Sequence, residues 1–288
     1  MKRLSALFIL LSSVCFAAPT ASNLIANIPG RATISLNGAW NIIIDPYDAG
    51  LNSRYYLNAK PKDKSDLVEY DFDKSPTLKV PGDWNTQRDE LLFYEGPVWY
   101  RRLFTYHKRA NTRTFVYIGA ANYQARVFLN GQKLGEHEGG FTPFNFDATN
   151  LLHDGDNFLI VEVNNARRID AVPTVNTDWW NYGGITGDVS LVEVPDAFIQ
   201  DYFVQLAKGS RDQIAGWVQL NGADSPRQVK LEIPDAGINE SFRTDASGRA
   251  EFHFPAKLNL WSPENPKLYD VTLTVGADQV HDQIGFRS

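Results

Sequence analysis

Cysteine is almost absent from this sequence, which contains one copy, Cys15, among 288 residues. A single thiol cannot form an internal disulfide, and a zinc site built from several thiolates is excluded. Cys15 also lies in an N-terminal segment with the features of a cleaved leader. We therefore expect the mature protein to have neither disulfides nor a cysteine nucleophile.

Histidine is also scarce, with five scattered copies. The Glu136-His137-Glu138 triplet would alternate between the two faces of a strand, so its side chains would not converge on one ion. The glycine-rich stretch at residues 183–187 leads into a strand and not into a helix N-terminus, which argues against a phosphate-bearing cofactor. We expect no metal site and no cofactor.

Basic residues do not exceed acidic ones: 28 lysines and arginines stand against 34 aspartates and glutamates, a net charge of −6. The sequence has no basic run, so nucleic acids and anionic membranes are disfavoured as partners. Neutral sugars and proteins remain as partners. The apolar run at residues 4–16 is shorter than the roughly 20 residues that span a membrane.

The N-terminus has the three parts of a secretory signal peptide. Lys2 and Arg3 come first, the apolar run follows, and the small residues Ala17 and Ala18 come last. This order predicts a cleavable signal at residues 1–18 and a periplasmic or secreted protein. A lipid attached to Cys15 is the alternative, although Val14 fits a lipoprotein signal poorly.

The hydrophobic pattern predicts an all-β protein. Short alternating runs such as residues 115–118 and 125–129 are separated by turn residues, and no long segment has the helical period. Asn130-Gly131 favours a hairpin turn, because both residues tolerate a positive φ. Residues 51–75 are polar and charged, and we interpret them as an insertion or a long loop.

We expect two domains with a boundary near Pro195. Residues 19–195 have the pattern of a jelly-roll sandwich. Residues 196–288 have that of an immunoglobulin-like sandwich without its disulfide. Seven strands are predicted in this second domain, at residues 199–206, 214–220, 227–233, 239–244, 249–254, 269–275 and 279–284.

The segment from Asp178 to Ile185 is the most informative part of the chain. Asp178, Trp179, Trp180 and Asn181 place a carboxylate and an amide beside two large rings. Aromatic faces suit the apolar C–H faces of a sugar, and the carboxylate and amide suit its hydroxyls. A buried aromatic corner of the sandwich is the alternative interpretation, since most aromatic clusters lie in cores.

Six motifs, in order, resemble the N-terminal region of glycoside hydrolase family 2, the β-galactosidase/β-glucuronidase group. They lie at residues 35–40, 80–85, 96–102, 127–144, 176–189 and 260–269. The resemblance implies a sugar-binding jelly roll followed by an immunoglobulin-like sandwich. In this family a (β/α)₈ barrel follows these domains and carries both catalytic glutamates. A barrel needs about 250 further residues, so we expect none here and assign no catalytic residue.

The resemblance also implies that Asp178 binds sugar hydroxyls, and we predict a substrate-binding set of Asp178, Trp179, Trp180 and Asn181. One position departs from the family, which usually has arginine where this chain has Gly187. This departure puts the packing of the loop in question.

We consider three functions. The preferred one is the non-catalytic N-terminal part of a secreted β-glycoside hydrolase, cut short before a barrel that is missing or separately encoded. A stand-alone carbohydrate-binding protein is the alternative. A protein-interaction sandwich, with the rings as core or interface, is the least favoured.

Overall fold

Two β-sandwiches follow one another in the computed structural model, which describes residues 23–287. The predicted signal peptide, residues 1–18, lies outside the described residues. Helical structure within residues 23–287 is limited to five 3₁₀ turns, at Ile28–Gly30, Tyr55–Leu57, Phe72–Lys74, Asp89–Leu91 and Pro234–Ala236. None of these turns approaches the length of a membrane-crossing helix.

The described part of the first domain contains twelve strands. They are β1 (Thr33–Ser35), β2 (Gly38–Ile44), β3 (Thr77–Val80), β4 (Gly82–Asp83), β5 (Pro97–Tyr106), β6 (Thr112–Ile118), β7 (Gln124–Leu129), β8 (Gln132–Glu138), β9 (Phe144–Asp147), β10 (Gly155–Asn164), β11 (Gly184–Ile185) and β12 (Val189–Pro195). A four-stranded sheet has the order β1-β12-β6-β9, and a six-stranded sheet has the order β3-β2-β5-β10-β7-β8. Strands β4 and β11 form a separate short ladder.

The core of this domain lies between the two larger sheets. Alternate residues of β10 point inward, so that Leu159, Val161 and Val163 are fully buried. They join Trp40 and Tyr100 in one continuous apolar cluster. Burial of this apolar surface is the main force that holds the two sheets together.

Residues 51–75 cover the outer face of the six-stranded sheet. Tyr70 and Phe72 of this segment pack against Trp99, Phe128 and Ile160 in a second apolar cluster. The segment lacks regular strands, as the interpretation of a long loop implies, but its aromatic residues form an outer layer. Strand β10 is therefore buried on both faces over most of its length.

The second domain contains seven strands, again all antiparallel. They are β13 (Phe198–Leu206), β14 (Gln213–Asn221), β15 (Gln228–Ile233), β16 (Ile238–Arg243), β17 (Arg249–Pro255), β18 (Tyr269–Val275) and β19 (Asp278–Ile284). A three-stranded sheet, β13-β14-β17, faces a four-stranded sheet, β16-β15-β18-β19. The core between them includes Val218, Leu231 and Leu273.

The predicted fold class is confirmed: the described residues are all-β, with a jelly roll followed by an immunoglobulin-like sandwich and no barrel. Each of the seven strands predicted in the second domain corresponds to an observed strand, and its first and last residues lie within two residues of the observed ones. The hairpin turn is present too, with φ of 50° at Asn130 and 80° at Gly131 between β7 and β8.

A short segment before β1 ties the two sandwiches together. The Ala26 amide donates to the Gln200 carbonyl at 2.8 Å. Arg31 forms an ion pair with Asp278, 3.0 Å between Nη1 and Oδ1, and both side chains are more than nine-tenths buried. Asp278 Oδ2 also accepts from the Ile199 amide at 2.7 Å. Removing one partner of such a buried pair typically costs about 3–5 kcal/mol, so this contact fixes the junction.

Candidate functional site

The connection from β10 to β11, residues 165–183, carries the aromatic run singled out in the sequence. It has no regular secondary structure. It ends at β11, which pairs with β4 through Gly184 opposite Asp83. An irregular segment cannot satisfy its backbone polar groups through a strand ladder, so those that are buried need other partners.

Four asparagine side chains supply many of those partners, and all are at least 95% buried: Asn85, Asn122, Asn165 and Asn181. Asn85 Oδ1 accepts a hydrogen bond from the Gly183 amide at 2.9 Å. Asn122 Nδ2 donates to the Tyr182 carbonyl and, at 3.1 Å, to Asn181 Oδ1. These bonds hold the end of the segment from beneath.

Asn165 and Asn181 form a reciprocal pair across the two ends of the segment. Asn165 Nδ2 donates to the Asn181 carbonyl at 2.9 Å, and Asn181 Nδ2 donates to the Asn165 carbonyl at 2.5 Å. Asn165 Oδ1 accepts from the Gly96 amide at 2.9 Å. Asn181, predicted to bind substrate, therefore lies below the surface with both ends of its amide hydrogen-bonded within the chain.

Gly183 lets the segment lie directly on the buried ring of Trp84. A Cβ atom at Gly183 would lie 2.1 Å from Cζ2 of Trp84, well inside any van der Waals contact. The Trp84 amide also donates to the Gly183 carbonyl at 2.8 Å. Contact with the Trp84 ring and the backbone hydrogen bond thus both fix the position of Gly183.

Arg167 anchors the part of the segment that flanks Asp178. Its Nη1 donates to Oγ1 of Thr177 at 2.8 Å, and its Nη2 donates to the Trp179 carbonyl at 3.4 Å. Its Nε donates to Glu95 at 2.8 Å. The guanidinium therefore contacts the residues on both sides of Asp178 and is itself oriented by a carboxylate.

Asp178 is exposed, and among residues 23–287 no hydrogen bond or ion pair reaches it. The neighbouring rings are exposed as well, 57% for Trp179 and 42% for Trp180. These values set the segment apart from a buried aromatic corner, the alternative that the sequence left open. Asp178, Trp179 and Trp180 are therefore accessible to a ligand, whereas Asn181, the fourth predicted residue, is buried and supports the segment.

A small cleft adjoins Trp180. The ring of Trp180 lies 5.4 Å from that of Phe93 and 6.3 Å from that of Tyr182, between centroids. The cleft has a volume of about 120 Å³, below the 300–1,000 Å³ usual for a small-molecule pocket. It can take an exocyclic group, while most of a ligand would lie against the exposed rings.

Tyr94 forms one wall of this cleft and stays neutral. Burial raises the pKa of its phenol to about 12, and its hydroxyl donates to the Pro97 carbonyl at 2.8 Å. Glu95, on the same wall, is paired with Arg167. Asp178 is therefore the carboxylate of this region that is free to accept hydrogen bonds from a ligand.

The Glu136-His137-Glu138 triplet has local structural partners. The His137 ring stacks on Phe144 at 4.2 Å, and burial lowers the pKa of its imidazole. Glu136 pairs with Lys133 at 2.6 Å. In residues 23–287 no group of three or more His, Cys, Asp or Glu side chains is arranged to hold a metal ion.

Gly187, where the sequence departs from the family pattern, lies against another backbone. A Cβ atom here would lie 2.2 Å from the Ala120 nitrogen and 2.5 Å from the Gly119 carbonyl carbon. The Gly187 amide donates to the Ala120 carbonyl at 3.0 Å. The close approach leaves no room for an arginine unless the two segments separate.

Comparison with known proteins gives two adjoining family matches. Residues 33–195 match "Glycosyl hydrolases family 2, sugar binding domain", and residues 197–287 match "Glycosyl hydrolases family 2". Together they cover nearly all of the described residues.

Individual relatives are distant and longer. A β-glucuronidase of Paenibacillus borealis is 24% identical over 90% of this chain and 46% of its own. A β-galactosidase of Thermoanaerobacter pseudethanolicus is 27% identical over 79% of this chain and 33% of its own length. The structure of Bifidobacterium dentium β-glucuronidase complexed with coumarin-3-O-glucuronide superposes with a TM-score of 0.73 and is 25% identical in sequence. The match covers 90% of this chain and 49% of that one. The chain spans less than half the length of each.

The contact at Gly187 predicts the effect of a single methyl group. Gly187→Ala should lower the free energy of unfolding by about 1–3 kcal/mol, because the new Cβ meets backbone atoms that cannot rotate away. Thr186→Ala, at the exposed neighbouring position, is the matched control and should change stability little. Urea denaturation followed by tryptophan fluorescence measures both. Wild-type stability in Gly187→Ala would show that the two backbones are not this close.

Proposed function

The chain belongs to glycosyl hydrolase family 2, and we propose that its first domain binds one sugar of a β-glycoside through the segment that carries Asp178. The observation that carries this proposal is the unpaired, exposed carboxylate of Asp178 beside two exposed indole rings. A rigid support beneath the segment holds these groups in place.

The chemistry of the segment fits a pyranose. A sugar presents C–H groups on its faces, which the rings of Trp179 and Trp180 can cover. Its hydroxyls need acceptors, and an ionised carboxylate accepts through two oxygens. Hydrogen bonds to a charged group contribute about 1.5–3 kcal/mol, so Asp178 alone can determine how the sugar is oriented.

The residues that hold the segment in place matter as much as the side chains that contact the sugar. Ordering a mobile loop on binding would cost roughly 0.5–1.5 kcal/mol for each immobilised side chain. Here the side chains of Arg167, Asn122 and Asn181 already hydrogen-bond to backbone carbonyls of the segment. We assign Asn181 a positioning role within the predicted substrate-binding set, because its amide is used inside the protein.

Hydrolysis is proposed to require more than these two domains. Cleavage of a glycosidic bond needs a pair of carboxyl groups on either side of it, and Glu95, the acid that lines the cleft, is neutralised by Arg167. We propose that a (β/α)₈ catalytic domain, as the family resemblance implies, completes the site. In its absence the chain would act as a carbohydrate-binding protein, the alternative function.

We further propose that the protein is exported to the periplasm or the medium, on the strength of the charged, apolar and small-residue pattern at residues 1–18. N-terminal sequencing of the protein recovered from the periplasm or medium should begin at residue 18 or 19. Retention in the cytoplasm with Met1 intact would contradict export.

Binding should depend on the Asp178 charge. Asp178→Asn keeps the size of the side chain but removes the charge, so affinity for methyl β-D-glucuronide or methyl β-D-galactoside should fall roughly 10- to 100-fold. Titration followed by the indole N–H signals of Trp179 and Trp180 in NMR measures this. Asp170→Asn, at an exposed position of the same connection, is the control. Equal affinity in Asp178→Asn and wild type would refute the assigned role.

Catalysis should be absent from the isolated chain. Purified protein should not release nitrophenol from nitrophenyl β-galactoside or β-glucuronide, because hydrolysis needs a pair of carboxyl groups and Glu95, the acid of the adjoining cleft, is paired with Arg167. A spectrophotometric assay with a buffer blank measures this. Turnover above the blank that Asp178→Asn abolishes would contradict the proposal.

A further inference from the structure

The outer face of the sheet β13-β14-β17 carries a second group of rings, distant in sequence from Asp178. Phe203 and Trp217 are direct cross-strand partners, with ring planes 29° apart and centroids 6.5 Å apart. The outer face of a sandwich sheet is usually polar. Phe203 is nevertheless 46% exposed, and the Arg249 guanidinium lies over the Trp217 ring at 4.5 Å.

The next row of the same face contains a hollow. Ala215 lies there between Gln205 on β13 and His253 on β17. Because alanine is much smaller than its two neighbours, the row dips at its centre, beside the wall formed by Phe203 and Trp217. The hollow is shallow and open to solvent, with a volume of about 590 Å³, so a ligand would lie across it and against the rings.

Polar side chains with at most one partner surround the hollow. The side chains of Gln205 and His253 form no hydrogen bond within the described residues. Glu251, opposite Trp217 in the register, makes only a 3.7 Å ion pair with Arg249. An amide, an imidazole and a carboxylate are thus free to bind hydroxyl groups beside two aromatic faces.

We propose that this hollow is a second saccharide-binding site, which takes one or two neutral pyranose units. The exposed ring of Phe203, and the part of the Trp217 ring that the Arg249 guanidinium leaves uncovered, contact the C–H face of the sugar. The hydroxyls bind to the polar side chains around the hollow, Gln205, Glu251 and His253. The site is independent of the Asp178 segment, which lies in the other domain.

A protein partner fits this face less well. A stable protein interface buries about 800 Å² on each side, and charged residues are depleted from its centre. Here the apolar part consists of two rings and Ala215, and Glu251 and Arg249 border it directly. A small ligand that combines an apolar face with hydroxyl groups matches this mixture.

NMR of the indole N–H groups tests the site. The chain has seven tryptophans, and loss of one signal in Trp217→Phe identifies the Trp217 resonance. Titration with methyl β-D-galactoside and with methyl β-D-glucoside should shift this resonance in a saturable way, with a dissociation constant in the millimolar range. Because Trp179 and Trp180 give separate signals, the two proposed sites succeed or fail independently.

Two variants and a control make the test specific. Phe203→Ala removes one ring, and Ala215→Phe fills the hollow at an outward-facing strand position; each should weaken binding at least 10-fold. Leu268→Ala, which removes an exposed apolar side chain elsewhere in the same domain, should leave it unchanged. The proposal is overturned if neither glycoside shifts the Trp217 resonance at tens of millimolar, or if the resonance shifts only with protein concentration.

Discussion

The candidate site depends on the burial of an irregular segment. Any backbone amide or carbonyl that is buried without a partner costs about 1–3 kcal/mol, and the connection from β10 to β11 has no strand ladder to use. Asparagine side chains provide the substitute, since each amide carries both a donor and an acceptor. Asn85, Asn122, Asn165 and Asn181 use these groups to bind the two ends of the segment to each other and to the neighbouring loops. Asp178 and its neighbouring rings are held at the surface as a result.

The strands could be predicted from the sequence because alternation of apolar and polar residues is a local signal. The outer layer formed by residues 51–75 was harder to recognise, since its apolar residues Tyr55, Tyr70 and Phe72 are separated by polar stretches without a period. The order of motifs indicated the sugar-binding architecture, and the two family matches agree with it.

The supporting half of the site could not be predicted in the same way. Asn85 and Asn122 lie far from Asp178 in the sequence, and only the fold brings their side chains beneath one segment. No neighbouring residue in the sequence marks Arg167 as part of the site, although its guanidinium donates to Thr177 and Trp179, the residues on either side of Asp178. Asn181 was grouped with the ligand contacts because it adjoins Trp180. Trp179 and Trp180 are both exposed whereas Asn181 is buried, and spacing alone does not reveal where an irregular backbone turns a side chain inward.

The two domains present the same chemistry on different frameworks, a carboxylate beside exposed rings on a loop in one and on a sheet face in the other. The central claim concerns the first: that the buried asparagines hold Asp178 ready to bind a sugar hydroxyl. A crystal structure of the chain with a bound methyl β-glycoside tests it most directly. The account predicts a pyranose against Trp179 or Trp180, with a hydroxyl within 3.2 Å of the Asp178 carboxylate and the segment unmoved. A sugar bound away from Asp178, or a segment that rearranges to reach it, would contradict the claim.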